Sequence, residues 1–260
     1  MIRIESPNNI CRYSLALELI RKVSITQFLE IGIGNGVFLE KIARKGYRGM
    51  GKDISEQAVA NASVRLKKYP NVKIEKTSFL NLTCQFDLVI MMQVLEHMEN
   101  DIETILRIKQ LITKDGYLLL SVPAHKQKWG YLDLVGGHYR RYERDEIKKT
   151  LQDAGFKILY LYSSGFPIAN LFRFWEENLY KKYFYQYNLD QKSHEERTKK
   201  SGCIEVPGVF GFPPICKVFI NEIVLSPFLW LQKLFVNSEL GLNYLVLARK
   251  NNTNREQQNY

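Results

Sequence analysis

Residues Phe28–Gly36 read FLEIGIGNG, an apolar run that passes directly into alternating glycines. The apolar residues indicate a buried strand, and the residues after Gly36 have the pattern of a helix. Glycine suits a turn between the two because it adopts positive φ and lets a ligand lie directly against the backbone. This stretch therefore predicts a ligand-binding loop at the end of a buried strand.

Two acidic residues near this loop indicate what it could hold. Glu30 stands two residues before the first glycine, and Asp53 ends the next predicted strand. The G-x-G-x-G spacing differs from the G-x-G-x-x-G of dinucleotide sites, where a carboxylate beside the pyrophosphate would be unfavourable. A carboxylate at Asp53 can accept hydrogen bonds from both hydroxyls of a ribose. Glu30 suits a cationic ligand, such as a sulfonium that also carries an ammonium group. We therefore expect a nucleoside site rather than an ordinary turn.

The chain up to residue 162 alternates between strand-like and helix-like segments. Strands are predicted at 27–31, 47–53, 72–76, 86–92, 117–122, 156–162 and, after a long gap, 243–248. Helices are predicted at 10–23, 37–44, 56–68, 100–112 and 145–154, with a turn at 114–116. Strict alternation of this kind predicts an α/β fold in which helices cover both faces of a mostly parallel sheet.

The gap before the last strand predicts a C-terminal cap. We divide the chain into a core (1–164), a cap or lid that shapes the acceptor site (165–241), a final core strand (242–250) and a disordered tail (251–260). The cap is rich in aromatic residues, namely Phe172, Phe174, Trp175, Tyr180, Tyr183, Phe184, Tyr185 and Tyr187. Together they predict an apolar or planar ligand enclosed between cap and sheet. Residues 215–235 are amphipathic, interrupted by Pro227, and suit either packing on the core, which we expect, or peripheral contact with a membrane surface.

Composition excludes several classes of protein. The 260 residues are 45% hydrophobic and 25% charged, which is typical of a folded protein and not of a disordered one. No apolar run is long enough to span a membrane, and the N-terminus lacks the apolar segment of a secretory signal. The four cysteines are scattered without a CxxC pair, so we expect free thiols and a cytoplasmic location. The net charge of +10 comes from basic residues interleaved with acids, so no specific nucleic acid is expected as a partner.

Four further blocks follow the glycine loop in a specific order. They are TSF at 77–79, FDLVI at 86–90 continuing as MMQVLEH at 91–97, KDGYLLLSVP at 114–123 and GFKI at 155–158. Over residues 10–165 and the last strand, the sequence resembles the class I S-adenosylmethionine-dependent methyltransferases. The resemblance is closest to the branch of small-molecule enzymes that contains the ubiquinone-pathway O-methyltransferases. It implies a Rossmann-like, seven-stranded, mostly parallel sheet with S-adenosyl-L-methionine as cofactor and S-adenosyl-L-homocysteine as product.

The resemblance also implies roles for particular residues. Gly32, Gly34 and Gly36 would pass beneath the methionine moiety, with Glu30 oriented toward it. Asp53 would hold the ribose, and Ile54 would lie against the adenine. Phe79 would stack near the adenine, and Ser78 replaces the family's usual Asp, so it could bond the adenine amino group without a charge. Gln93 would line the pocket near the reacting methyl group.

Methyl transfer from a sulfonium is an in-line displacement, so the protein mainly positions the acceptor and excludes water. A base helps when the acceptor is a hydroxyl or a protonated amine. His138 and Tyr139, in the stretch GHYRRY at 137–142, are candidates to deprotonate or orient the acceptor, although the same loop could simply anchor the next helix. His97 is a further candidate. Some ubiquinone-pathway relatives bind a divalent metal through E-x-x-E-H, but Gln93 replaces the first acid here, so no metal is expected.

The sequence therefore predicts a methyltransferase that acts on an O or N atom of a small-molecule acceptor, aromatic or apolar in character, in biosynthetic or secondary metabolism. Two alternatives stay open. One is a methyltransferase of RNA or another macromolecule, which the positive charge favours. The other is a non-catalytic cofactor-binding scaffold, for which Ser78 and Gln93 are the only support. The sequence does not predict the oligomeric state.

Overall fold

A computed structural model describes residues 5–189, 192–193, 196–198 and 221–251. Within these ranges, seven strands form one sheet in the order β3-β2-β1-β4-β5-β7-β6. The strands are β1 Gln27–Ile31, β2 Arg48–Asp53, β3 Val72–Lys76, β4 Phe86–Met92, β5 Ile112–Pro123, β6 Phe156–Ser164 and β7 Asn243–Lys250. Strands β1 to β5 are parallel, and β7 runs antiparallel between β5 and β6. The predicted seven-stranded, Rossmann-like α/β fold is confirmed.

Eight α-helices that lie wholly within the described residues accompany the sheet. They are α1 Pro7–Ile20, α2 Val37–Ala43, α3 Glu56–Leu66, α4 Asp101–Gln110, α5 Tyr131–Gly136, α6 Arg144–Asp153, α7 Ile168–Gln186 and α8 Ser226–Leu231. Several begin at residues that the sequence marks clearly. The Ser55 hydroxyl accepts a hydrogen bond from the amide of Ala58, and the Asn100 side chain accepts one from the amide of Glu103. Such caps satisfy amide groups that have no partner inside the helix.

The core lies on both faces of the sheet, and the alternating side chains of β4 show this most clearly. Leu88 and Ile90 pack with residues of α1, α2 and α3, whereas Val89 and Met91 pack with residues of α4 and α6. All four side chains are fully buried. A strand that is apolar on both faces belongs in the middle of a parallel sheet covered by helices. The carboxyl end of β4, followed directly by Gln93, therefore lies near the middle of the edge of the sheet at which the parallel strands end.

The predicted turn at 114–116 is wrong in its extent. Strand β5 begins at Ile112, and its pairing with β4 is irregular between Phe86 and Leu88, opposite these residues. Asp115 has a φ of 65°. The turn sequence therefore forms a distortion inside a longer strand, because pairing resumes on both sides of it.

The predicted cap contains α7 and α8, and its boundaries stay a prediction. Helix α7 packs against α5 through Val135 and Phe184, and against α1 through Ile10 and Ile168. Pro227 lies at the start of α8, where its fixed φ is favourable, so it does not interrupt a helix there. Residues 215–220 and 252–260 lie outside the described residues. None of the described helices combines the length and hydropathy needed to cross a membrane.

Candidate active site

The glycine loop connects β1 to α2 in the predicted way. Gly32, Gly34 and Gly36 have φ values of 72°, 50° and 72°, which side-chain-bearing residues rarely adopt. A Cβ on Gly32 would lie 2.4 Å from a methyl carbon of Val94. The amide of Gly32 donates to the carbonyl of Lys52 at 2.8 Å. The loop is therefore held against the carboxyl end of β2, beside Asp53.

The carboxylate of Asp53 organises this loop. Its Oδ2 accepts a hydrogen bond from the amide of Gly34 at 2.9 Å, and its Oδ1 accepts one from the amide of Ser55 at 2.8 Å. Burial raises the pKa of Asp53, and the backbone N–H groups offset this only in part. A carboxylate oxygen accepts more than one hydrogen bond, so both oxygens can also bind a diol.

A cavity of about 530 Å³ extends from this loop over the carboxyl ends of the central strands. Eight of the nine predicted cofactor-binding residues line it, namely Glu30, Gly32, Gly34, Asp53, Ile54, Ser78, Phe79 and Gln93. Gly36 does not. A Cβ on Gly36 would lie 2.8 Å from the Cβ of Ala62, so this glycine permits close packing of the loop on α3. The volume falls within the range of roughly 300–1,000 Å³ that is typical of small-molecule sites.

Polar atoms along the cavity are held in place. The amide nitrogen Nε2 of Gln93 donates to the hydroxyl of Ser121 at 3.2 Å, and Gln93 itself has a φ of 59°. The Ser78 hydroxyl accepts a hydrogen bond from the amide of Leu80 at 3.3 Å, so it caps the short turn that carries Phe79. Its proton remains a donor, which suits a ring nitrogen better than the amino group named above.

Glu30 gives a direct test of whether the cavity fits a cationic ligand. Its side chain is buried, and Oε2 has no hydrogen-bond partner within the part of the chain that the structure describes. Burial, with a further contribution from the charge of Asp53, raises the pKa of Glu30 well above its usual value. A positively charged group in the cavity would relieve both effects. S-adenosylmethionine, with its sulfonium and ammonium, fits this site.

The other end of the cavity holds a histidine fixed by a carboxylate. The Nδ1 of His138 donates to Oδ1 of Asp133 at 2.8 Å, and Nε of Arg141 bonds both oxygens of Asp133, at 2.9 and 2.8 Å. Burial acts to raise the pKa of Asp133, but the hydrogen bonds and charges of His138 and Arg141 outweigh it and lower the pKa. Because a carboxylate only accepts, Nδ1 of His138 carries a proton, and Nε2 is the nitrogen that gains or loses the second one.

Glu96, His97 and His138 form a cluster whose nearest donor atoms all lie within 4.8 Å of one another. Nδ1 of His97 donates to the carbonyl of Gly137 at 3.1 Å, so this ring also presents Nε2 as an acceptor. Neither carboxylate oxygen of Glu96 has a partner among the described residues, and Oε1 lies 4.0 Å from Nε2 of His138. This set could hold a proton or a divalent cation. The expected absence of a metal stays a prediction.

Tyr139 lies apart from the cavity, and its role in positioning or deprotonating the acceptor stays a prediction. Its side chain is 42% exposed and does not line the cavity, and its amide donates to the carbonyl of Glu96 at 2.8 Å. That bond joins the loop to the short turn after β4, and it orients His138 inward and Tyr139 outward. The structure therefore brings His97 and His138 together but not Tyr139.

The cavity wall also includes residues that the sequence did not mark. Arg12 comes from α1, and Glu176 comes from α7. Of the eight aromatic residues predicted to enclose an acceptor, only Tyr180 lines the cavity, and Phe174 is 80% exposed. Burial raises the pKa of Glu176 to about 7, against the charge of Arg173. The acceptor end is therefore more polar than the aromatic composition predicted.

The buried carboxyl group of Glu96 should make the free energy of unfolding depend on pH. Burial raises the pKa of Glu96 from 4.5 to about 7, with the charges of His138 and Arg12 opposing the rise. The folded state therefore binds this proton more tightly than the unfolded state, and the stabilisation is lost as pH rises through 7. Between about pH 5 and pH 8, we expect the wild-type free energy of unfolding to fall by about 2–3 kcal/mol more than that of Glu96→Gln. Urea unfolding at several pH values measures this.

Glu103→Gln, an exposed control on α4, should show the same pH dependence as the wild type. If Glu96→Gln shows the same pH dependence as the wild type too, the raised pKa of Glu96 is contradicted.

Comparison with models of protein families shows which family this chain belongs to. Residues 10–161, more than half of the chain, match the family model described as a methyltransferase domain. The chain belongs to this methyltransferase family. Among curated relatives, the chain is similar to a ubiquinone biosynthesis O-methyltransferase of Albidiferax ferrireducens, at 26% identity over 53% of this chain and 53% of the relative. The chain thus spans about half the length of the curated relatives that it matches.

Solved structures agree on the fold. The 1,6-didemethyltoxoflavin-N1-methyltransferase of Burkholderia thailandensis matches with a TM-score of 0.55 at 16% identity, over 94% of this chain and 78% of that chain. The (4+2)-cyclase SpnF matches with a TM-score of 0.55 at 17% identity, over 92% of this chain and 79% of that chain. At these identities the likeness concerns the fold alone. The activity must therefore be argued from the site.

Proposed function

We propose that this methyltransferase-family protein transfers the methyl group of S-adenosylmethionine to an oxygen or nitrogen atom of a small-molecule acceptor. The observation that carries the proposal is one cavity with two distinct ends. At one end Glu30 and Asp53 flank the glycine loop, and at the other a carboxylate fixes His138. A cofactor site and a proton acceptor on one cavity are what methyl transfer to a protonated nucleophile requires.

The residues of the first end would hold the cofactor. Asp53 would accept the ribose hydroxyls, Ile54 and Phe79 would lie against the adenine, and Glu30 would face the positively charged end. When bound, S-adenosylmethionine supplies a methyl group on a sulfonium sulfur. The S–CH₃ bond would break as the bond from the acceptor oxygen or nitrogen to carbon forms, so S-adenosylhomocysteine would remain.

The residues of the second end would prepare the acceptor. Nε2 of His138 takes the proton that the acceptor loses, and Asp133 stabilises the resulting imidazolium through Nδ1. Arg141 holds Asp133 in place by bonding both of its oxygens. Leu132 and Val135 of α5 contribute apolar wall on the same side, which helps to exclude water.

A thermal-shift comparison of S-adenosylhomocysteine with NAD tests the cofactor directly. At about 100 times its dissociation constant, a specific ligand adds roughly 2.7 kcal/mol of stability, or several degrees in Tm. We expect a shift with S-adenosylhomocysteine and none with NAD. No shift with either ligand would favour the non-catalytic scaffold, and a shift with NAD alone would exclude a methyltransferase.

The acceptor's class is part of this proposal. The similar curated proteins are named as ubiquinone biosynthesis O-methyltransferases, which favours a hydroxyl acceptor. Glu176 and Tyr180 lie one helical turn apart on α7 and add polar groups to the acceptor end. We therefore propose a hydroxylated small molecule with an apolar body, rather than a wholly apolar one.

Contact with a membrane surface through 215–235 stays a separate prediction. In the described part of this segment, Ile223, Trp230 and Leu234 are exposed, and Lys233 pairs with Glu18 of α1. The ion pair supports packing of the segment on the core. The exposed apolar residues support contact with a surface.

A further inference from the structure

Glu176 is a buried carboxyl group on the cavity wall that has no paired cation. It lies on α7, is 9% exposed and lines the cavity. Its carboxyl oxygens form no ion pair and no hydrogen bond with the part of the chain that the structure describes. A buried charge without a partner is expensive to maintain. The carboxyl group therefore either stays protonated or meets a partner that arrives with a ligand.

The cations near Glu176 are directed elsewhere. Arg173, three residues earlier on α7, acts on Glu176 through its charge, but its Nη2 donates to the carbonyl of Lys128. Arg12 and Lys52, the two basic side chains among the described residues that line the cavity, bond other side chains. No cation of the described ranges therefore neutralises Glu176 by direct contact.

The position of Glu176 shows which ligand it would meet. The charge of Arg173 interacts with Asp133 as well as with Glu176, so Glu176 lies near the carboxylate that fixes His138. That is the end of the cavity where the acceptor of the proposed function would bind. The positive charges of the cofactor would meet Glu30 at the other end. The cofactor would therefore leave Glu176 without a partner.

An ammonium group matches Glu176 in charge and in bonding. It donates up to three hydrogen bonds, and hydrogen bonds between ions are roughly twice as strong as those between neutral groups. A hydroxyl group could donate one hydrogen bond but would leave the charge unbalanced. We propose that the acceptor carries an ammonium group away from the methylated atom and that Glu176 binds it. This inference rests on the proposed function and adds a cationic group to the hydroxylated acceptor proposed there.

Two other roles of Glu176 make different predictions. If Glu176 stays protonated, it donates a hydrogen bond and favours an acceptor with a carboxylate. If it only supports the packing of α7, the charge of the acceptor should not matter. Tyramine, 4-propylphenol and 3-(4-hydroxyphenyl)propionate separate these roles, because they share a phenol and a side chain that ends in an ammonium, a methyl or a carboxylate. The 5-hydroxyindoles with the same three side chains at C3 test a larger ring.

Isothermal titration calorimetry of the full chain, saturated with S-adenosylhomocysteine, is the test. In at least one ring series, wild type should bind the ammonium compound at least about 10-fold more tightly than the methyl compound. Glu176→Gln should lose this preference and keep its affinity for the methyl compound. Glu177→Gln is the matched control, because Glu177 does not line the cavity and its Oε1 accepts a hydrogen bond from the amide of Tyr131. It should keep the preference.

Each other outcome overturns the assignment of Glu176. These outcomes are a preference for the carboxylate compounds, equal affinities within both series, no binding of either series, and a preference that persists in Glu176→Gln. All of them leave the cofactor site intact, whereas a wild type that does not bind S-adenosylhomocysteine would overturn the proposed function as well. If Glu176→Gln does not fold, Glu176→Asp replaces it. This variant keeps the charge on a shorter side chain, so it should show a smaller preference for the ammonium compound, and an unchanged preference would contradict the proposal.

Discussion

Replacement of His138 by alanine is expected to lower kcat by about 10²- to 10⁴-fold, with little change in the affinity for S-adenosylhomocysteine. Asp133 fixes the tautomer of His138, so Nε2 is the atom that can take a proton from the acceptor. The glycine loop and Asp53 lie at the other end of the cavity, so the cofactor contacts should survive. Initial rates of S-adenosylhomocysteine formation measure kcat, with whichever small phenol or amine the wild type turns over fastest. Calorimetry measures the affinity.

Two further variants test whether the loss of kcat comes from the proposed role of His138 as a base. Asp133→Asn should also lower kcat, because an amide at this position no longer stabilises an imidazolium. His125→Ala is the matched control, since His125 is buried against Tyr244 and does not line the cavity, so kcat should stay near the wild-type value. If His138→Ala leaves kcat unaltered, His138 is not the base, and the loop at 137–142 has a structural role.

Addition of the chelator EDTA distinguishes between two roles of His138, as a base and as a metal ligand. If His138 acts as a base, turnover should be insensitive to EDTA, in line with the expected absence of a metal. Loss of turnover with EDTA and its recovery with added Zn²⁺ or Mn²⁺ would instead assign Glu96, His97 and His138 as ligands. In that case the general-base role of His138 would be wrong.

The sequence predicted the sheet because its strands are locally distinct. Strands β1, β3 and β4 have the predicted bounds. Strand β4 is a mostly apolar run, whereas β3 reads VKIEK and alternates between apolar and charged residues. The meeting of the glycine loop, Asp53 and Phe79 at one cavity was predictable, because they lie at or just after strand ends of a parallel sheet, which meet at one edge. Their roles toward a cofactor stay a prediction. The direction in which each side chain points was harder to predict from the sequence. His138 lines the cavity and the adjacent Tyr139 does not, and this difference follows from tertiary contacts such as those with Asp133 and Glu96.

The acceptor end was missed where it depends on tertiary packing. Helix α5 has only six residues and no clear apolar period, so nothing in the sequence connected Asp133 to His138. Helix α7 is aromatic on several faces, but only the face with Glu176 and Tyr180 lines the cavity, because α1 and α5 enclose that side. An amphipathic pattern predicts the burial of apolar residues and does not reveal that a charged residue such as Arg12 turns inward.

Asp53→Ala is expected to weaken binding of S-adenosylhomocysteine by about 1–3 kcal/mol, which is roughly 5- to 150-fold in the dissociation constant. The carboxylate would lose its bonds to the ribose, and the amides of Gly34 and Ser55 would lose their acceptor. Calorimetry measures the change. Glu56→Ala removes a fully exposed acid three residues away and should leave the affinity unaltered. An unchanged dissociation constant for Asp53→Ala would remove Asp53 from the site.

The two losses at Asp53 can be separated with a ligand that lacks a ribose hydroxyl. Wild type should bind the 2′-deoxyadenosyl analogue of S-adenosylhomocysteine more weakly than the parent compound, because one bond to Asp53 is gone. Asp53→Ala should discriminate between the two compounds much less, since residues that contact each other give non-additive effects. Weakening of both compounds in Asp53→Ala beyond this difference measures the contribution of the ordered loop. If Asp53→Ala still discriminates as wild type does, then Asp53 orders the loop and another group binds the ribose.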